Sequence, residues 1–258
     1  MNLGFEEAQT PFDSPSQNAR VWTEQWVKTW LFCPNCGAQN LSGFEANRPV
    51  ADFHCPTCAE EFELKAQKTP IGRRVMDGAF GTMCQRLEAS NNPNLMLMRY
   101  DLERFGVTDL FLVPKQFFVR DIIEKRKPLA PTARRAGWVG CNIVLEKVPE
   151  SGKVHVVRDR QLAPKALVLE QWKSTLFLRD QGLAGRGWLI EVMKCVDLIG
   201  APTFTLDDVY AYEQRLSALY PGNRNVRPKI RQQLQVLRDN GYLDFVGRGR
   251  YRLRAAIM

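Results

Sequence analysis

The chain has 258 residues and a formal net charge of +8, a length that suits one large domain or two small ones. A charged fraction of 25% beside an apolar fraction of 45% excludes a disordered or fibrous chain. No apolar run approaches the roughly eighteen residues of a membrane span, and no basic-then-apolar leader opens the sequence, so a cytoplasmic protein without a membrane partner is expected.

Residues 1–17 are polar, carry Pro11 and Pro15, and read as a loose lead-in. Val21, Trp22 and Trp26, behind Ser16 or Asn18, predict a helix over 18–28. Glu24 on that helix could reach a metal site, although such a residue more often lies at a surface. Two CxxC pairs follow, Cys33 with Cys36 and Cys55 with Cys58, eighteen residues apart. Zinc takes four thiolates in a tetrahedron, each CxxC turn offers two, and this spacing is that of a zinc ribbon. Pro34, Gly37 and Pro56 sit where the two knuckles must turn. With no His in the set, no position is left for water, which makes the metal structural. The alternative is four cysteines paired as disulfides or left reduced in a core. Cys84, Cys141 and Cys195 remain as an odd number, which a reducing compartment accommodates most simply.

Residues 50–53 and 61–65 read as a hairpin flanking the second knuckle. Side-chain alternation puts Phe62 and Leu64 on one face of the second strand and Glu61, Glu63 and Lys65 on the other, with Asp52 on the partner strand. Two carboxylates can hold a divalent ion beside a scissile phosphate, and a nearby ammonium can orient or deprotonate the attacking water. Pro49-Val50-Ala51-Asp52, ten intervening residues and Glu63-Leu64-Lys65 resemble the PD-(D/E)XK nuclease motif. The competing reading of the bare triplet is the wet face of a strand.

Thr69-Pro70 opens a helix expected to run to about Ala89, with Val75, Ala79, Met83 and Leu87 on one stripe. Strands are predicted over 95–100 and 109–113. Hairpin, helix, strand, strand is the element order of a PD-(D/E)XK core. Residues 126–142 carry Pro128, Pro131, Gly137 and Gly140 and cannot form a regular helix or interior strand. In this loop Arg134 and Arg135 suit phosphates or guanine edges, and Trp138 is either a flat apolar reading surface or a buried anchor. A strand over 154–157 and a helix over 166–178 close the first domain; residues 179–187, with three glycines, are the candidate linker.

Three helices are expected next: an amphipathic one over 188–198, one capped by Thr205 and running to about Leu219, and one opened by Pro228 and stopped by Gly241. A hairpin over 242–253 turns at Gly247-Arg248-Gly249, completing a winged helix. Ile230, Leu234 and Leu237 form the inward stripe of the third helix. Arg231, Gln232 and Gln235 then face out, with Arg224, Asn225 and Arg227 just ahead. Residues 221–258 hold nine Arg or Lys and two Asp, a balance of +7 that leaves +1 for the other 220 residues. This concentration favours DNA over protein as the winged helix's partner.

The ribbon-bearing site, the loop Pro128-Leu129-Ala130-Pro131-Thr132-Ala133-Arg134-Arg135-Ala136-Gly137-Trp138 and the terminal winged helix together resemble the DpnI-type methyl-directed restriction endonucleases, from about Asn18 to Leu253. The resemblance implies an α/β (α+β) PD-(D/E)XK catalytic domain with a zinc-ribbon insertion over 1–181 and a winged-helix DNA-binding domain over 182–258. It implies cleavage of double-stranded DNA at GATC carrying N6-methyladenine, by a monomer with two readers of the modified site, one in each domain. The catalytic set is then Asp52, Glu63 and Lys65, with Mg²⁺ on Asp52 and Glu63. Zn²⁺ falls to Cys33, Cys36, Cys55 and Cys58, and Trp138 meets the adenine methyl groups. Arg134, Arg135, Arg224, Arg227, Arg231, Gln232 and Arg248 are the expected DNA contacts. A non-catalytic zinc-containing winged-helix transcription regulator is the competing class, and it leaves Asp52 and Glu63-Leu64-Lys65 without a role. An HNH nuclease is disfavoured by a chain with only two histidines, His54 and His155.

Overall fold

The computed structural model describes residues 1–6, 12–45, 51–89 and 92–254. Pro49 and Val50 of the expected motif, and Ser90 and Asn91 after the expected helix, lie outside the described residues. The helices in chain order are α1 (Pro15–Trp30), α2 (Phe80–Ala89), α3 (Lys165–Lys173), α4 (Leu183–Ile199), α5 (Leu206–Tyr210), α6 (Glu213–Leu219) and α7 (Val226–Asp239). The strands are β1 (Ser42–Gly43), β2 (Phe53–His54), β3 (Glu61–Gln67), β4 (Arg74–Ala79), β5 (Asn94–Asp101), β6 (Gly106–Val113) and β7 (Ile123–Lys125). They continue with β8 (Gly140–Val144), β9 (Val154–Arg158), β10 (Gln161–Leu162), β11 (Thr203–Thr205), β12 (Leu243–Gly247) and β13 (Arg250–Leu253). Two compact units interleave along the chain. One comprises Met1–Val75, Ala89–Lys115 and Lys153–Lys173; the other Met76–Glu88, Gln116–Gly152 and Ser174–Met258.

The first unit is built on a seven-stranded sheet in the order β1-β2-β3-β5-β6-β9-β10. β3 and β5 run parallel, from Phe62 opposite Asn94 to Gln67 opposite Arg99, and the other neighbours are antiparallel. Central strands covered on both faces need continuous apolar runs rather than alternation. β5 supplies Leu95, Met96, Leu97 and Met98, all buried, against Leu110, Phe111, Leu112 and Val113 of β6. α1 is longer than the periodicity predicts because Pro15 serves as its first residue, where the missing N–H costs nothing. The expected loose lead-in is corrected over residues 1–6. Gly4 bridges to Gly106, the Phe5 ring meets Phe105 edge-on at 5.5 Å, and Trp26 Nε1 donates to the Asn2 carbonyl at 2.8 Å.

In the second unit, β4, β8 and β7 form a three-stranded sheet in that order. The helix expected over 70–89 is thereby corrected: residues 74–79 are strand, and only 80–89 are helical. Val75 is buried between exposed Arg74 and Met76, a period of two that the Val75/Ala79 spacing had masked. The helix expected over 166–178 stops at Lys173. Thr175 Oγ1 instead accepts from Gln116 Nε2 at 3.0 Å, and a 3₁₀ turn follows over Leu176–Asp180.

The expected linker over 179–187 is corrected as well, since α4 begins at Leu183. α4 is not an amphipathic surface helix: every residue from Arg186 to Val196 is buried. Gly187 permits this packing, because a Cβ there would lie 3.1 Å from the Tyr220 hydroxyl, whose ring stacks on Trp188 at 4.1 Å. Thr205 caps as expected, in a full capping box with Asp208, but the helix after it divides into α5 and α6. α7 buries Ile230, Leu234 and Leu237, and Gly241 (φ +73°) takes the left-handed turn after it. β11, β13 and β12 pair in that order, with Gly249 (φ +67°) turning the hairpin. No helix among the described residues is long and apolar enough to cross a membrane.

Thr205→Ala removes the hydroxyl that accepts from the Asp208 N–H and should destabilise the protein by about 1 kcal/mol, with Thr205→Ser near neutral. Urea unfolding followed by circular dichroism measures both; equal midpoints for wild type and Thr205→Ala would remove the cap from the account.

Candidate functional site

The four cysteines converge. Their Sγ atoms all lie within 4.8 Å of one another, with Cys33 to Cys58 and Cys36 to Cys55 both at 3.6 Å. A disulfide requires about 2.05 Å, whereas a tetrahedron of thiolates around zinc separates its sulfurs by about 3.8 Å. The cluster therefore fits a structural zinc site. The two knuckles are built alike: Gly37 N–H donates to the Cys33 carbonyl and Ala59 N–H to the Cys55 carbonyl, and both donors sit at positive φ. Burial raises the Cys33 thiol well above its ordinary value. At Cys55 burial acts the same way, but the Cys58 and Thr57 N–H groups and neighbouring thiols outweigh it and bring the group down to about 7. α3 braces the first knuckle from behind, Lys165 Nζ donating to the Gly37 carbonyl at 2.7 Å and the buried Trp172 Nε1 to Asn35 Oδ1 at 3.1 Å.

The second knuckle leads directly into β3. Asp52 N–H donates to the Phe62 carbonyl at 2.9 Å, and β2 pairs Phe53 with Phe62. Strand alternation from that register puts Asp52, Glu63 and Lys65 on one face and the fully buried Phe53 and Phe62 on the other. The expected partner strand is shorter than 50–53 suggests: Asp52 lies just before β2 and is held by its own side chain, Oδ2 accepting from the Leu64 N–H at 2.7 Å. Glu63 Oε1 and Lys65 Nζ pair at 2.8 Å, both half-buried.

Asp52 and Glu63 line one cavity of about 370 Å³ with Arg20, Thr23 and Glu24 of α1 and Tyr100 of β5. Burial raises the Asp52 carboxyl; the Leu64 N–H pulls it down, Glu24 pushes it up again, and Arg20 and Lys65 oppose that. A carboxylate crowded this way is relieved by a cation, and the donors present are the hard oxygens a divalent metal prefers. Glu24, weighed from the sequence against a plain surface role, faces the cavity and forms an ion pair with Arg20.

Asn94 is a further positioning residue. Its buried amide donates to Glu60 Oε2 at 2.8 Å and to the Glu61 carbonyl at 2.9 Å, while Oδ1 accepts from the Lys115 N–H at 2.9 Å. Glu60 also faces Lys115 Nζ at 3.3 Å. These contacts fix the start of β3 against β5, and nothing in a lone Asn at a strand start signals them.

The second unit carries the remaining residues. Arg134 and Arg135 are exposed, and the Arg135 guanidinium lies 4.9 Å over the Trp138 ring. Trp138 is half-buried, not a core anchor: a Cβ on Gly140 would meet the ring at 2.8 Å, so the indole rests on bare backbone. Gly137 (φ +77°) turns the loop just ahead of it.

On and beside α7, Arg224, Arg227, Arg231 and Gln232 are all exposed, and Arg248 projects at the hairpin turn. Arg224, Arg231 and Arg248 make no ion pair or hydrogen bond among the described residues. Arg227 is engaged within the fold, at 2.7 Å from Glu213 Oε2 and 5.0 Å over the Tyr210 ring, and Gln232 Oε1 accepts from Lys229 Nζ at 2.8 Å. Phe245 and Val246 of β12 are also exposed, an apolar pair beside the basic turn that charge counting could not reveal.

A mixed sheet with two acids and an amine on one face, followed in the chain by a winged helix, places the protein among α/β proteins with a C-terminal helix-turn-helix domain. The chain belongs to the DpnI, or Dam-replacing, family: that family's model matches residues 1–181, and the Dam-replacing HTH domain model matches residues 184–253. Family membership supports a methyl-directed restriction endonuclease that binds DNA.

Purified without chelator, the protein should carry one equivalent of zinc by atomic absorption, and Cys58→Ala should carry far less and melt earlier. A metal-free wild type with an unchanged melting temperature would overturn the zinc site.

Proposed function

We propose that the chain is a type II methyl-directed restriction endonuclease that hydrolyses double-stranded DNA at GATC containing N6-methyladenine. Residues 1–181 would carry the chemistry and 182–258 a second reader of the site, the protein acting as a cytoplasmic monomer. The observation that carries this reading is the placement of Asp52 and Glu63 in one cavity, with Lys65 on the same strand face. Asp52 and Glu63 are the residues that would hold magnesium, which when bound supplies Lewis-acid charge neutralisation at the scissile phosphate. Lys65, anchored by Glu63, orients the attacking water and balances phosphate charge. The Leu64 N–H fixes Asp52 so that its carboxylate needs no reorganisation. A regulator without catalysis gives no account of a half-buried Asp52 crowded by Glu24.

Trp138 is assigned the adenine methyl group, and Arg134 and Arg135 the flanking phosphates or guanine edges. Arg224, Arg231, Gln232 and Arg248 are assigned DNA contacts in the winged helix. Arg227 is assigned one too, on the condition that Glu213 releases it or shares it.

Plasmid from an adenine-methylating host should be cut in the presence of Mg²⁺ and the same plasmid from a non-methylating host left intact. Equal cutting of both excludes methyl direction; cutting of neither excludes the nuclease. Asp52→Ala should abolish cleavage while methylated duplex is still retained in a gel shift, and residual cutting at the wild-type rate would remove Asp52 from the site. Trp138→Ala should lower the methylated-to-unmethylated cleavage ratio by about fourfold or more, the value of one buried methyl group. An unchanged ratio would assign the methyl to another residue.

A further inference from the structure

At the end of the sheet formed by β4, β8 and β7 stands an arginine beside Trp138 that no assignment above uses. β7 pairs Lys125 with Cys141 of β8, and the Arg126 N–H carries the ladder on to the Gly140 carbonyl at 3.0 Å, so Arg126 stands opposite Gly140. Residues opposite one another in an antiparallel pair share a face, as do residues two apart on one strand. Arg126 and Trp138 are therefore diagonal neighbours on one face, within reach of long side chains. The packing agrees: a Cβ on Gly140 would lie 2.8 Å from the Trp138 ring and 3.6 Å from Arg126 Cδ, so the indole and the arginine stem rest over the same bare backbone.

The head of Arg126 is uncommitted. The residue is half-buried, its side chain makes no ion pair or hydrogen bond among the described residues, and none of its nitrogens is sealed from solvent. Arg134 and Arg135 are placed differently. Both are exposed on the turns of the loop, and the Arg135 guanidinium is laid over the indole at 4.9 Å. A side chain carried by a sheet is held more precisely than one on a loop, and reading a base edge demands more precision than meeting a phosphate.

The chemistry of the proposed site narrows the partner. A guanidinium only donates. In the major groove cytosine presents a donor, thymine one acceptor and a methyl group, and adenine one acceptor beside its amine; guanine alone presents two adjacent acceptors, O6 and N7, which match the arginine fork. Guanine is also the base next to adenine in GATC.

We propose that Arg126 is a specificity-determining residue that donates to O6 and N7 of the guanine beside the methyladenine met by Trp138. Arg126 has this role only if the GATC reading above holds; Arg134 and Arg135 are then left to the phosphates.

The test measures equilibrium binding of the full chain, without Mg²⁺, to three duplexes: methylated GATC, bare GATC, and methylated GATC in which 7-deazaguanine replaces guanine and so lacks the N7 acceptor. Wild type should bind the 7-deaza duplex at least about fivefold more weakly than the ordinary methylated one. Arg126→Met keeps a stem over Gly140 and removes the donors. It should show a 7-deaza penalty smaller by at least about fivefold, keep the preference for methylated over bare GATC, and leave the log–log salt slope unchanged. Arg126→Lys, which retains a donor, should recover part of the penalty. If Arg126→Met melts far below wild type, Arg126→Ala takes its place. A wild type without the penalty, or the full penalty in Arg126→Met, would assign the guanine to another residue. A salt slope reduced in magnitude by about one would make Arg126 a phosphate contact, and loss of the methyl preference in the variant would make it a support for Trp138. Each of these overturns the role of Arg126 while the methyl-directed reading stands. Equal binding of methylated and bare GATC by wild type would instead remove that reading, and the role of Arg126 with it.

Discussion

The structure depends on one short run of backbone pairing, where the second cysteine knuckle passes into β3. The bonds from Asp52 N–H to the Phe62 carbonyl and from Leu64 N–H to Asp52 Oδ2 set the register between two segments separated by a ten-residue excursion. A slip of one residue would exchange the faces of β3, sending Glu63 and Lys65 toward the core and Phe62 into the cavity. Short pairing alone cannot hold such a register: β2 and β3 share only two residue pairs. The knuckle supplies the rest, since both its cysteines belong to a cluster closed by Cys33 and Cys36. A structural metal held by this cluster would thus act less on bulk stability than on where one carboxylate stands.

Two further devices act on the same strand. Asn94 ties the start of β5 to Glu60 and Glu61, and Lys115 neutralises the buried Glu60, so β3 is fixed from its other side by charge and amide contacts. Trp172 and Lys165 of α3 anchor the first knuckle. In the second unit the tie is of another kind. Buried Tyr242, following α7, donates to Ser151 Oγ at 3.0 Å, and Asp197 of α4 accepts from the Glu150 N–H at 2.9 Å. The segment carrying Trp138 and the winged helix consequently belong to one compact unit, although the family models divide the chain between residues 181 and 184.

Geometry carried by short, rigid spacings was legible in the sequence. Two CxxC turns, a Glu-Leu-Lys strand and the Thr205 cap are local, so their geometry follows from a few covalent bonds. The apolar stripe of α7 was legible for the same reason: Ile230, Leu234 and Leu237 share a face whatever they meet. The failures came where a distant partner decides. Residues 74–79 are compatible with a helical stripe until β8 is present to pair with them, and three glycines near 185 suggest a linker until Tyr220 and Trp188 are seen to need the space. Asn94 and the cavity face of Glu24 belong to this group, for each acquires its role from residues tens of positions away.

On the proposed function, the Trp138 loop has to make a small chemical difference count. A methyl group contributes on the order of 0.8 kcal/mol when buried, about a fourfold preference. That gain is lost if an exposed indole must first be ordered, because immobilising one side chain costs about 0.5–1.5 kcal/mol. Here the ring is ordered in advance. Arg135 lies over one part of it, Gly140 offers bare backbone to another, and the Trp138 N–H bonds to the Arg135 carbonyl at 3.1 Å. Only with that cost already met does the methyl term survive as selectivity. Even then a single contact is too weak to spare unmodified DNA, so on the proposed function discrimination must be multiplied over both methyl groups of the palindrome and over a second reader. A pre-set loop in the same compact unit as the winged helix is the arrangement that permits such multiplication.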